Sequence, residues 1–438
     1  MDYKDAISYI HSLDRFGSRP GLERIGALTE RLGNPQNNLR FIHIAGTNGK
    51  GSTAAFISSV LTCAGYSTGL YTSPFVIRFN ERIKIDGEEI SDSDLAEYTY
   101  RVKAVIDKMV EEGYEHPTEF ETITALSFLY CYEKKCDVVV LETGMGGRFD
   151  ATNIIKCPMM SVITKISLDH TQILGTTMEN IAFEKAGIIK PGGIVVTYPQ
   201  RKPAYDTIKA VCAEKNARLV TADADDIKMI ELKPGEMVFS HRDYGLIKTG
   251  IVGIHQTYNA AVALKVIEIL KSSGFALGTE EIRTGFLKAL WPGRFELIGR
   301  KPDFYIDGAH NPDGVRAFVE TYRRIYPEQK AIIIFGVSKD KDYHTMLREL
   351  STIAEWFIAV AADTPRALPV KTLSNEMRKY CKNVEFSDTI KEAVTKSYLK
   401  ATKAHVIAAL GSFFYIGQVR EIVGQITSCC FKKPDNNC

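Results

Sequence analysis

The sequence predicts an α/β fold in two domains: an N-terminal domain of the P-loop type with a mostly parallel sheet, and a smaller Rossmann-like α/β C-terminal domain. Three observations predict it. Short runs rich in Val and Ile alternate with longer helical patterns. A second such series begins after 291-WPGRFE-296. The first apolar run ends in 46-GTNGKGS-52, where three glycines surround one lysine. Strand, helix, strand in that rhythm is the pattern of a parallel sheet with crossover helices.

In chain order, strands are expected at 41-FIHIA-45, 137-DVVVLE-142, 159-MMSVIT-164 and 194-IVVTY-198. Helices are expected over 52–64, 119–134 and 177–188. Residues 216–253 read as strand-rich, a decoration of the first domain. The second series offers strands at 303-DFYIDG-308, 331-AIIIFG-336, 356-WFIAVA-361 and 405-HVIAAL-410. Pro292-Gly293 is a turn signal and marks the linker, so the domains divide as 1–295 and 296–438.

The chain has 438 residues, more than one ordinary domain. Its net charge of +2 gives no nucleic-acid footprint, so no nucleic-acid partner is expected. No apolar run approaches the roughly 20 residues of a membrane helix, and no membrane partner is expected. The N-terminus, MDYKDAISYI, is charged and helix-like rather than a signal peptide. Nine cysteines show neither a repeated CxxC pair nor zinc spacing, and three of them, Cys429, Cys430 and Cys438, sit in a polar tail. Reduced thiols and a cytoplasmic location are the expectation.

The stretch 41-FIHIAGTNGKGST-53 fails the strict Walker A pattern. Ile44 stands where the first glycine would fall, and Gly51 follows Lys50 where Ser or Thr is required. Its physical elements survive. Glycines let backbone N–H groups converge on an anion, a helix N-terminus adds its dipole, and Lys50, expected on a surface turn, adds charge. The blander reading is a glycine-rich turn with a solvated lysine; three glycines around one lysine after a strand favour phosphate.

Other residues extend this. In 137-DVVVLETGMGGRFDATN-153 a strand delivers Glu142 to its C-terminal end, the edge where open α/β sheets bind ligands. His170 follows the next strand. A single His is more often a packing residue, and magnesium rarely takes imidazole. Lys185, in 180-NIAFEKAGIIKPGG-193, lies in an amphipathic helix. Such a lysine usually snorkels, but partial desolvation would lower its pKa and leave a neutral amine able to form a carbamate.

The sequence resembles the folylpolyglutamate synthase family, whose members are sometimes also dihydrofolate synthases, within the Mur-ligase superfamily. The resemblance runs through GTNGKGS, YTSPF with RFNERI, TEFE, ETGMGGRFDATN, LDH, EKAG, YNAA, WPGRFE, DGAHNPDG and ADTPRALP, in the family's order. It implies an ATP-dependent ligase that adds L-glutamate to a folate through an acyl phosphate, with dihydrofolate synthesis as an additional candidate activity. Gly46, Thr47, Asn48, Gly49, Lys50, Gly51 and Ser52 would cradle the ATP phosphates. Asn259, Arg294 and Asp307 would contact ATP from beyond that core, the last from the second domain.

The resemblance further implies Mg2+, with K+ as a further candidate. Ser73, Glu142, His170 and a carbamylated Lys185 would be the metal ligands, and Lys50, Glu142, His170 and Lys185 the catalytic set. The substrate side would involve Leu22, Glu23, Arg24 and Ile25, then Thr118, Glu119, Phe120 and Glu121, then Phe149, Asp150 and Ala151, with His310. Folate, L-glutamate and ATP are the implied partners, and a monomer is expected. One departure is Phe75 in 72-TSPF-75, where members with dihydrofolate synthase activity often carry His. Two alternatives remain. Another Mur-type ligase would carry an extra N-terminal domain, for which about 40 residues before Phe41 are too few. A non-catalytic nucleotide-binding regulator would not need Glu142, His170, Lys185 and Asp307.

Overall fold

The computed structural model describes residues 1–17 and 20–431; the side chains of Ala224 and residues 428–431 lie outside that description. The chain groups into two compact units. One comprises Met1–Lys228, Ser240–Ile247 and Thr257–Ala289, and the other Met229–Phe239, Lys248–Gln256 and the chain from Leu290 onward.

The first unit is built on an eight-stranded sheet. Its strands are β1 (Phe41–Ala45), β2 (Thr68–Tyr71), β3 (Ile83–Ile85), β4 (Glu88–Glu89), β5 (Val138–Glu142), β6 (Met160–Ile163), β7 (Ile194–Thr197) and β8 (Arg218–Thr221), in the order β4-β3-β2-β5-β1-β6-β7-β8. The central strands are parallel: β1 pairs β5 on one side and β6 on the other. Only the β2–β3 and β3–β4 pairs at one edge are antiparallel. All five residues of β1 and of β5 are buried, because a parallel sheet is covered on both faces. Phe41, Val139 and Leu141 face a core shared with α1 (Tyr3–Ser12), α2 (Glu23–Arg31), α4 (Asp92–Glu111) and α5 (Glu119–Glu133), the helices that contribute Ile10, Leu28, Val102 and Phe128. On the same face, beyond β1, α7 (Met178–Ala186) and α8 (Lys202–Glu214) cover β6 and β7 through Ile181, Ala182, Ile208 and Val211, which pack with Ile163 and Val195. The helix α3 (Lys50–Cys63) follows β1 directly, and α6 (Thr171–Leu174) lies between β6 and α7.

In the middle of β1 sits a fully buried histidine, His43. Burial, reinforced by the charge of Lys190, pushes its pKa down to about 3. The folded ring therefore stays neutral while the unfolded ring takes up a proton below about pH 6.5. Between pH 6.5 and 3 the unfolded state binds more protons, so stability falls as pH falls, by up to about 1.4 kcal/mol per pH unit from this residue. Denaturant titrations at several pH values should show a shallower acid slope for His43→Gln. An unchanged slope would contradict a buried neutral ring.

The second unit carries a six-stranded sheet of β12 (Glu296–Gly299), β13 (Phe304–Asp307), β14 (Lys330–Phe335), β15 (Ala354–Ala359), β16 (Val384–Phe386) and β17 (His405–Leu410), in the order β12-β13-β17-β14-β15-β16. Only β12 runs antiparallel to its neighbour. Its core joins Tyr305, Phe318, Ile333, Leu347, Phe357 and Ala408.

Each strand expected from the sequence is present within two residues of its expected ends. Residues 216–253 divide: β8 completes the first unit's sheet, whereas β9 (Ile227–Lys233), β10 (Glu236–His241) and β11 (Gly245–Thr249) form a separate three-stranded sheet. Met229–Phe239 and Lys248–Gln256 group with the second unit rather than the first. Cys63, Cys131, Cys136, Cys157, Cys212 and Cys381 are free thiols. The side chains of Cys429 and Cys430, and all of Cys438, lie outside the described residues. No helix among the described residues is long and apolar enough to cross a membrane.

Candidate active site

The carboxyl ends of β1, β5 and β6 lie side by side, and each leads into a loop that carries polar groups. The loop after β1 is held from behind by the loop after β6. Thr47 N and Asn48 N donate to Lys165 O at 2.8 and 3.2 Å. Thr47 Oγ1 donates to Ser167 O and accepts from Ser167 N, at 3.0 and 3.1 Å. Gly49 precedes α3 with φ of 88° and supplies no side-chain cap. A β-carbon there would lie 2.2 Å from Asn259 Oδ1, so glycine is required both by the backbone and by the approach of Asn259. The first N–H groups of α3, at Lys50, Gly51 and Ser52, have no intrahelical partner and form an anion-binding helix start.

Lys50 is not on a surface turn. It is the first residue of α3, which starts two residues earlier than the sequence suggests, and its side chain is only 15% exposed. The reason is Glu142, a buried carboxylate at the end of β5, whose Oε1 lies 3.7 Å from Lys50 Nζ. Glu142 Oε2 accepts the Ser73 N–H at 3.3 Å. Lys185 arrives from α7, also buried, and donates from Nζ to Gly46 O at 2.8 Å. Burial, and then the charge of Lys50, push its pKa down to about 7, against the pull of Asp169 and Asp150. Lys50, Ser73, Glu142, Lys185 and Asn259 are thus gathered around one loop. His170 sits at φ of 49°, half-buried, and its N–H donates to Asp169 Oδ1 at 2.8 Å.

The glycine-rich stretch after β5 packs against α7. A β-carbon on Gly147 would lie 2.8 Å from the carbonyl oxygens of Glu184 and Lys185, so bare backbone is needed there. Beyond it Asp150 is buried and accepts from Met145 N, Thr152 N and Thr152 Oγ1 at 2.9, 3.0 and 2.6 Å. Burial raises its pKa, and these donors oppose the rise. Phe149 next to it is 51% exposed.

The segments expected on the substrate side also meet. Arg24 grips Glu121 with two nitrogens, Nε to Oε2 and Nη2 to Oε1, both at 3.1 Å. Glu121 in turn closes a capping box with Thr118 at the start of α5. Glu119 lies 3.4 Å from Arg82, whose guanidinium lies 5.6 Å from the Phe75 ring centroid and 5.1 Å from that of Phe79. Phe75 is partly buried against the core, and Phe120 lies against Gly144. Leu22 is half-buried and Glu23 exposed, whereas Ile25 and Ala151 are buried. Asp169 and Arg82 are the residues the sequence reading passed over. Both stand inside stretches it used, LDH and RFNERI, but nothing in spacing marked them.

Within the second unit, Asp307 ends β13 and accepts from Phe295 N and Ala309 N, both at 2.7 Å. Burial raises its pKa against the nearby Arg294. The Arg294 guanidinium lies 4.4 Å from the Phe413 ring centroid, and His310 meets the same ring edge-on at 5.8 Å. A further group, His241, Asp243 and Glu268, has the composition of a metal site. However, Asp243 N donates to His241 Nδ1, which keeps the proton on Nε2, the nitrogen facing Glu268, and Lys265 already pairs with Glu268.

Residues 44–267 match the Mur ligase middle domain, and residues 293–413 the Mur ligase glutamate ligase domain. A dihydrofolate synthase/folylpolyglutamate synthase of Bacillus subtilis (strain 168) is 40% identical over 427 residues, covering 96% of this chain and 98% of that one. The chain belongs to the folylpolyglutamate and dihydrofolate synthase family of Mur ligases. Among solved structures, Mycobacterium tuberculosis folylpolyglutamate synthase complexed with ADP and AMPPCP superposes with a TM-score of 0.87 at 30% identity, covering 97% of this chain and 99% of that one. An FPGS–AMPPCP–folate complex gives 0.83 at 34% identity, covering 96% and 99%. Membership makes the chain an ATP-dependent ligase with an α/β fold of this family, so the regulator reading falls away.

Proposed function

We propose that the chain joins L-glutamate to a folate at the expense of ATP, and that the cluster at the carboxyl ends of β1 and β5 carries the phosphoryl-transfer step. The observation behind this is the convergence of Lys50, Glu142 and Lys185 on one glycine-rich loop. The relatives' complexes with AMPPCP and folate support ATP and folate as substrates.

In this reading the loop amides from Gly46 to Ser52 and the Lys50 ammonium hold the ATP phosphates in line with a substrate carboxylate. Asn259, Arg294 and Asp307 are further proposed contacts to ATP. The carboxylate becomes an acyl phosphate, the glutamate amine attacks its carbonyl carbon, and phosphate leaves. No enzyme nucleophile is needed, and Lys50 stabilises charge where it develops.

The donor set fits a hard divalent cation. Glu142 offers a buried carboxylate and Ser73 a hydroxyl beside it, both oxygen donors of the kind Mg2+ prefers. His170 is the less usual member. Lys185, with a pKa near 7, is partly neutral at neutral pH, the state that takes up carbon dioxide to give an anionic oxygen donor. When bound, Mg2+ would spread the charge of the transferred phosphoryl group. K+ remains a candidate second cation.

Leu22, Glu23, Arg24, Ile25, Thr118, Glu119, Phe120, Glu121, Phe149, Asp150 and Ala151 are the proposed folate-side set, and His310 is assigned to substrate as well. The enzyme is further proposed to act as a cytoplasmic monomer, with domains dividing near residue 295.

Substrate choice is testable at Phe75. A phenyl ring packed beside Phe79 and under Arg82 offers no hydrogen bond where related enzymes often place a histidine. An unpaired polar group costs roughly 1–3 kcal/mol, or about ten- to a hundredfold in specificity. Assays with ATP, labelled glutamate and a panel of pterins should give clear extension of tetrahydrofolate and weaker or absent use of dihydropteroate. Equal kcat/KM for the two would mean that Phe75 does not report on the second activity.

A further inference from the structure

From the geometry around β1 we infer that His43 is a positioning residue for the folate-facing loop, acting through Thr152 on the turn that presents Phe149. This rests on the assignment of Phe149–Ala151 to the folate side.

The chain of hydrogen bonds is fully buried and has a fixed direction. Asp150 accepts from two backbone N–H groups, Met145 and Thr152, and therefore serves as an acceptor. Thr152 Oγ1 lies 2.6 Å from Asp150 Oδ1, so its single hydroxyl proton points at the carboxylate. Its oxygen must then accept from His43 Nε2, 2.8 Å away. His43 is thereby held as the Nε2–H tautomer, and its Nδ1, buried, has no hydrogen-bond partner among the described residues. A ring with one nitrogen unsatisfied in the core carries a cost that an apolar side chain would not. The N–H to Thr152 is what that cost supports.

The other end of the chain shows its purpose. Asp150 N-caps the short 3-10 turn Ala151–Ile154 through Thr152 N, and Asn153 Nδ2 ties the same turn to Arg148 O and Gly187 O. Phe149 sits between these fixed points with its ring exposed. His43 belongs to the strand that ends in the nucleotide loop, paired in register with Leu141 and Ser161. One side chain thus links the nucleotide-binding strand to the turn under the folate-facing ring.

The test is steady-state kinetics of the full chain, with KM measured separately for folate and for ATP. His43→Leu and Thr152→Val should each raise the folate KM about tenfold while the ATP KM stays within about twofold. His43→Gln, whose amide N–H can reach the threonine oxygen, and Thr152→Ser should restore the folate KM. Should His43→Leu fail to fold, Thr152→Val decides. Unchanged folate KM in Thr152→Val, or an equal rise for both substrates, overturns the inference. Phe149→Ala separates it from the reading beneath. If Phe149→Ala raises the folate KM and Thr152→Val does not, only the positioning role falls. If Phe149→Ala leaves the folate KM unchanged, the folate assignment falls and the inference with it.

Discussion

Lys50→Ala is expected to lose ligase turnover by roughly 10²- to 10³-fold, the usual effect of removing one preorganised charge or donor from a developing anion. The side chain projects from the first turn of α3, where unpaired N–H groups and the helix dipole already favour an anion. Its ammonium lies 3.7 Å from Glu142 Oε1, so its removal also leaves that buried carboxylate with less compensation. A stability loss of about 1–3 kcal/mol should accompany the kinetic one. The two separate if turnover is measured well below the melting transition of the variant. Near-normal turnover there would remove the loop from the mechanism.

Glu142→Ala should be at least as damaging. It removes the buried carboxylate at the end of β5 and strands Lys50 near a second lysine, Lys185. The charge of Lys50, which already lowers the pKa of Lys185, would then stand with less compensation, a costly arrangement where water is excluded. The expected result is a loss of at least about 10²-fold in turnover, together with a changed dependence on Mg2+ concentration. Glu142→Gln keeps the volume and a hydrogen-bond acceptor for Ser73 N but loses the charge, so it should fail kinetically while folding better than the alanine variant. If Glu142→Gln keeps the parent's activity and its metal dependence, Glu142 is not a metal ligand.

The parallel core was legible because β1, β5 and β6 are short, mostly apolar runs, buried on both faces, and β1 runs straight into the glycine-rich loop. The strands β2 to β4 were not. Thr68–Tyr71 contains a glycine in four residues, and β4 has two residues, too short for any periodicity to register. The division of 216–253 was hidden for another reason. Its strands look alike in sequence, and only pairing decides which sheet each joins. At the site, Lys50, Glu142 and Lys185 could be named from motif context. Their burial could not, because it depends on what folds over them. Lys50 reads as a solvated lysine in a glycine-rich turn until Glu142 is placed 3.7 Å away. His43 carried no signal in its strand, since its role depends on Thr152, far along the chain and adjacent only in the fold.

The central claim is that this cluster couples ATP cleavage to glutamate addition. The most direct measurement follows ADP release and folate mass together, with purified protein, ATP, Mg2+, tetrahydrofolate already carrying one glutamate, and free L-glutamate. The account predicts ADP release that requires both folate and glutamate, matched mole for mole by a folate product longer by one glutamyl residue. ADP release that ignores either substrate, or that leaves the folate unextended, would contradict it.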